Sequence, residues 1–164
     1  DVFIAINRCI DILESDSSSD SEKSFYLKLL VHFVGDLHQP LHIGRYEDRG
    51  ANRVYVKWFG RNSNLHRVWD SDMINSHNMS YSELAVNLPN PDFLVFTKEA
   101  KDFERDDILD WVKEIHVYTN QIYAGVSVDD KLGYEYQYKN FGTVKELLLI
   151  GGIRLAKILN YLFD

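Results

Sequence analysis

Pro40 is the residue that most limits how this chain can fold. The stretch before it, from about Glu22 to Leu37, carries Phe25, Leu29, His32, Phe33 and Asp36 in helical phase. Proline lacks an N–H, and its ring at position 40 meets the carbonyl of Asp36, so the helix kinks or ends there. His32 and Asp36 therefore share one face of a helix that stops abruptly, and His42 follows just past the corner.

The rest of the chain reads mostly as helix. Val2, Ile6, Cys9, Ile10 and Leu13 have amphipathic spacing, and a polar serine-rich linker at 15–21 separates them from the second helix. Val54, Val56 and Trp58 alternate with polar or basic residues, a short strand, with a turn at Gly60 to Asn62. Asn64 is a candidate N-cap for a helix from Leu65 that carries His66, Trp69, Asp70, Met73 and Ile74. Further helices are predicted at 81–87, about 106–124 and 141–163, with loops around Pro89–Pro91 and over the Tyr-rich stretch 129–140. The expectation is a single, mainly α domain over 1–164 with one small β-hairpin.

Bulk properties narrow the function. A net charge of −7 argues against a surface built to hold duplex nucleic acid, though bound metal can supply local positive charge to a phosphate. No apolar run is long enough to cross a bilayer. Cys9 is the lone cysteine, so no internal disulfide forms. No signal peptide is visible, and the opening Asp1-Val2-Phe3-Ile4 reads as the middle of a longer protein.

The chemistry concentrates between His32 and Asp70. His32 and Asp36 stand at i, i+4, His42 follows, and His66 and Asp70 repeat the spacing. Three imidazoles and two carboxylates suit zinc, and three protein ligands with one position open is its catalytic arrangement. The rival reading makes each His–Asp pair a solvated helix face and His32 a core histidine among Val31, Phe33 and Val34. A buried imidazole needs partners for both nitrogens, and Asp36 supplies at most one. His38 falls far round the helix from Asp36, on the surface or behind the ligands; His77 and His116 are assigned structural roles, and the acidic run at 102–107 a solvated helix start.

At this point the motifs are familiar. The stretch from Leu30 to Gly44, with its His-Phe-Val-Gly-Asp-Leu-His-Gln-Pro-Leu-His core, resembles the signature of the S1/P1 nucleases, zinc-dependent and single-strand-preferring. Asp48-Arg49-Gly50-Ala51-Asn52, Asn64-Leu65-His66-Arg67-Val68-Trp69-Asp70 and the closing Gly152-Ile153-Arg154-Leu155-Ala156 helix resemble further motifs of that family, in order along the chain. The resemblance implies a helical phospholipase C/nuclease-like fold around three zinc ions, with His42, His66 and Asp70 on one zinc, His32 on a second, and Asp36 bridging. It implies attack on phosphorus by a metal-bound water, single-stranded RNA or DNA as substrate, 5′-nucleotide products, 3′-nucleotidase activity in some members, and a secreted or periplasmic protein. Ser71 falls where a residue contacting substrate would sit. Zinc phospholipases C share the ligand pattern, but the Asn-Leu-His-x-x-Trp-Asp form favours the nucleases.

The departures set a further expectation. The family's remaining ligands, beginning with a mature N-terminal Trp, and its catalytic Asp lie upstream, and no histidine precedes His32 here. Three four-coordinate zinc ions need roughly ten to twelve donors; this chain offers five side chains. It is therefore read as the C-terminal portion, holding about one zinc, with little or no catalysis alone. A non-catalytic helical domain with a residual or structural zinc site is the alternative. Ala51 replaces a family glycine, and would add about 1 kcal/mol of strain if that position needs positive φ. Apolar faces of the second and last helices are expected to be left exposed, with poor solubility.

Overall fold

A computed structural model describes residues 2–88 and 102–164. Helix α1 (Val2–Glu14) buries Ile6, Cys9, Ile10 and Leu13, the stripe that its periodicity sets. Helix α2 (Asp20–Leu37) begins with a capping box: the Ser19 side chain accepts from the Glu22 N–H while Glu22 reaches back to Ser19. Its buried side chains, Leu30, Val34 and Leu37, meet α1 together with Ile108, Trp111 and Ile158 in one core.

The proline corner is a 3₁₀ turn, Pro40–Ile43, whose first amides are met by Gln39: its side chain accepts from the Leu41 N–H at 2.6 Å. Leu41 enters a second core, with Ala51, Val56, Leu65, Val68, Trp69 and Met73. Strands β1 (Tyr55–Trp58) and β2 (Arg61–Asn64) form the expected hairpin, but its two-residue turn is Phe59–Gly60, both at positive φ, rather than Gly60 to Asn62, because Arg61 and Asn62 pair with Trp58 and Lys57. A two-residue strand β3 (Lys131–Leu132) pairs parallel to β1.

The expected helix after Asn64 is three pieces: α3 (Leu65–Arg67), a π turn (Val68–Asp72) and α4 (Met73–Ser76). Asp72 is held by the Ser63 hydroxyl (2.7 Å) and the Arg67 Nε (3.1 Å), and the Met73 N–H bonds Val68, five residues back. The described residues continue with α5 (Tyr81–Val86) and α6 (Asp107–Ala124); the Pro89–Pro91 loop lies outside the described residues.

Helix α7 (Tyr134–Phe163) corrects the expectation of a loop through residue 140. Three tyrosines give that segment weak helix propensity. Tertiary contacts override it, because the Tyr136 hydroxyl accepts from Trp69 Nε1 at 2.9 Å and Gln137 reaches the Met73 carbonyl. Phe25 and Val31 on α2 and Leu148, Tyr161 and Phe163 on α7 stay exposed, in line with the apolar faces expected of these helices.

Candidate metal centre

Every candidate donor stands on a segment with its own reason to be rigid. His32 and Asp36 ride on α2, His42 on the proline-started 3₁₀ turn, and His66 and Asp70 on the helical run capped by Asn64, whose side chain accepts from the Arg67 N–H at 2.8 Å. The structure brings one ligand atom each from His42, His66 and Asp70 within 4.8 Å of one another. The rings of His42 and His66 stack, centroids 5.2 Å apart. His42 presents Nδ1 to Asp36 Oδ1 and Nε2 to Asp70 Oδ1, both at 3.3 Å. On the far side, His32 Nε2 lies 3.2 Å from Asp36 Oδ2, and its side chain is 62% exposed. The five side chains thus form a ladder, His32–Asp36–His42–Asp70, with His66 against its inner end.

This geometry fits a zinc ion. Tetrahedral zinc with bonds near 2.0–2.2 Å sets its donors about 3.3–3.6 Å apart, so small side-chain rotations close the trio. His66 also meets the demand that a ligating imidazole have its other nitrogen occupied. Its Nδ1 lies 2.8 Å from the Gly50 carbonyl, which can only accept, so Nδ1 carries the proton and Nε2 is the free donor.

The Gly50 carbonyl belongs to an unusual turn. Arg49, Gly50 and Ala51 are all left-handed, with φ of 58°, 63° and 65°. Gly50 has no alternative, since a Cβ there would sit 2.3 Å from the Leu41 carbonyl oxygen. Ala51 is at positive φ, the condition under which its strain applies, and its methyl is fully buried. Asp48 holds the turn: its Oδ1 accepts from the Ala51 N–H (2.7 Å) and from the Tyr123 hydroxyl (2.8 Å). Burial and that hydrogen bond push the Tyr123 phenol up to about 12, so it remains a donor at any physiological pH.

A groove of about 1100 Å³ opens beside these residues, lined by Asp36, His42 and His66 and by Arg45, Arg49 and Arg53. With Glu47 and Asp36 on the same wall, the three arginines leave the groove slightly positive in a chain whose net charge is −7.

The model of one protein family, S1/P1 nuclease, matches residues 2–164. The chain belongs to the S1/P1 nuclease family. Endonuclease 2 of Arabidopsis thaliana is 33% identical over 162 residues, 90% of this chain and 55% of that protein. Endonuclease 5 of the same plant is 34% identical, over 84% of this chain and 51% of its own. Nuclease S1 of Aspergillus oryzae is 30% identical, over 88% and 56%. The chain spans about half the length of these curated relatives. Membership accords with the mainly helical architecture and its small sheet.

Ser71 and His38 stand beside these donors in different surroundings. Ser71 donates its hydroxyl to the Arg67 carbonyl (3.3 Å), one turn back on its own helix. His38 is not a surface residue but buried, 5% exposed. Its Nδ1–H donates to the Val34 carbonyl (2.7 Å) and its Nε2 accepts from Arg154 Nη1 (3.2 Å), while Arg154 Nη2 donates to Glu114 (2.9 Å). Desolvation pushes His38 down to about 4, and it stays neutral. The family's closing helix motif thus contributes Arg154 as a buried brace behind α2. Trp58 is buried in the hairpin and donates its Nε1–H to the Ser76 hydroxyl; Tyr46 and Tyr55 are exposed.

Proposed function

We propose that the full-length protein is a zinc-dependent endonuclease that hydrolyses single-stranded RNA and DNA to 5′-nucleotides, with removal of 3′-phosphates from nucleotides as a side activity. The observation that carries this reading is the convergence of His42, His66 and Asp70 on one point beside a groove lined with arginines. Relatives named endonucleases, about twice as long as this chain, support it.

In this reading His42, His66 and Asp70 hold one zinc, His32 serves a second, and Asp36 lies between them as the bridging carboxylate. Bound zinc supplies Lewis acidity toward a phosphoryl oxygen and activates water near neutral pH. Arg45, Arg49 and Arg53 attract the phosphate backbone along the groove, and Ser71 is a candidate contact to substrate on the same helical run. The chain over 1–164 acts as one domain. Among the described residues no helix is long and apolar enough to cross a membrane, and a secreted or periplasmic setting follows from the family resemblance.

A two-metal clamp places ions about 3.5–4 Å apart, and the donors among the described residues complete one site. The 164-residue chain alone is therefore proposed to bind about one zinc and to cleave little or nothing. The test compares this chain with the full-length gene product on a fluorescent single-stranded oligonucleotide and on its duplex. The full-length protein should cut the single strand, lose activity to a chelator and recover it with zinc. If it binds zinc without cutting either substrate, a non-catalytic domain with a structural zinc is the better reading.

A further inference from the structure

We infer that Tyr123 is a positioning residue for the metal site: through Asp48, its hydroxyl holds the left-handed turn that aims His66. The inference rests on the proposed reading of His42, His66 and Asp70 as zinc ligands.

His66 is fixed twice by one short segment. Its ring Nδ1–H donates to the Gly50 carbonyl at 2.8 Å, and its backbone N–H donates to the Ala51 carbonyl at 3.4 Å. Both carbonyls belong to residues at positive φ, and with Arg49 they make three such residues in a row, two of them not glycine. A turn of this kind persists only where its surroundings over-determine it. Local chemistry supplies part of the restraint, since Asp48 accepts from the Ala51 N–H. The long-range part comes from Tyr123, in the last turn of α6. Its hydroxyl donates to Asp48 Oδ1 at 2.8 Å and accepts from the Arg45 N–H at 3.2 Å, so it ties both arms of the turn. The Arg45 guanidinium lies over the same ring, 4.3 Å from its centroid.

Without the hydroxyl, Asp48 loses its anchor to α6 and the turn relaxes toward ordinary φ. The Gly50 carbonyl then leaves Nδ1, and the His66 proton can move to Nε2, the nitrogen zinc needs. Tyr123 never touches the metal. It acts by keeping one imidazole in one tautomer and one orientation.

The test uses the 164-residue chain with Tyr123→Phe, which keeps the ring under Arg45 and deletes only the hydroxyl. Zinc affinity, read by competition with a chromophoric chelator, should fall about tenfold, the low end of the 10–100-fold range for partners behind a metal ligand. Asp48→Ala removes both bonds and should approach the upper end, whereas Asp48→Asn keeps the accepting oxygen and should bind nearly as wild type. Imidazole ¹⁵N shifts of the zinc-free chain give the independent readout. Wild-type His66 should be protonated at Nδ1 alone, and Tyr123→Phe should show a mixture. Tyr123→Phe with wild-type zinc affinity and a single His66 tautomer overturns the role, even if its urea midpoint has dropped. A wild-type chain that binds no zinc overturns the reading of the site, and this role with it. Should Asp48→Ala fail to fold, Tyr123→Phe and Asp48→Asn decide the matter.

Discussion

His66 and His32 occupy opposite ends of one donor series under opposite conditions. His66 is half-buried, stacked on His42 and fixed by a carbonyl that sets its tautomer. His32 is 62% exposed and meets only Asp36 among the donors. Both share the His-x3-Asp spacing, so spacing alone does not make a site. What separates them is the layer behind the ring. His66 has a turn, an aspartate and a tyrosine behind it; the ring of His32 opens toward solvent, over a helix face where Val31 and Phe25 are also exposed. The structure thus holds the His66 ring in place and leaves the His32 ring to solvent.

The comparison breaks most directly by deleting each ring. His66→Ala should weaken zinc binding by more than the roughly 100-fold that bounds the loss of an outer partner, while His32→Ala should leave it nearly unchanged, both read by isothermal titration. Equal losses would erase the distinction.

The next largest effect concerns the layer behind His66. Gly50→Ala puts a Cβ against the Leu41 carbonyl and forces a side chain into the left-handed region, at a cost of at least about 1–3 kcal/mol. Urea denaturation should show it, and zinc affinity should fall in parallel.

A third histidine sharpens the contrast through pH. His38 is lowered from an ordinary 6.5 to about 4, so between these values the unfolded chain binds more protons than the folded one. Stability from this group is complete above pH 6.5 and lost as pH falls toward 4, on the order of 2 kcal/mol between pH 7 and pH 5. Urea midpoints at the two pH values should show the drop, and His38→Gln should flatten it.

The smallest effect is at Ala51. Replacement by glycine relieves a left-handed strain of about 1–2 kcal/mol. It also removes a buried methyl worth about 0.8 kcal/mol and gives the unfolded chain about 0.4–1 kcal/mol of extra entropy. The terms nearly cancel, and Ala51→Gly should change stability by less than about 1 kcal/mol. This explains how the chain tolerates alanine there.

What was legible in the sequence was local. The stop at Pro40, the phase of His32 with Asp36 and of His66 with Asp70, and the presence of the hairpin all follow from neighbours within a few residues. What was missed depends on partners far along the chain. Helix α7 starts early because Tyr136 reaches Trp69, 67 positions away. His38 is buried because Arg154, 116 positions away, satisfies its ring. The turn behind His66 is held by Tyr123, 75 positions from Asp48. Periodicity carries none of these pairings. Only the motif residues Asp48, Gly50 and Arg154 marked where they would land.

The most direct test of the centre is zinc K-edge X-ray absorption on the 164-residue chain loaded with one equivalent of zinc. The expected spectrum has two imidazole nitrogens and a carboxylate oxygen at about 2.0–2.2 Å, and loses one imidazole in His66→Ala. A spectrum without imidazole scattering, or one that His66→Ala leaves unchanged, would contradict it.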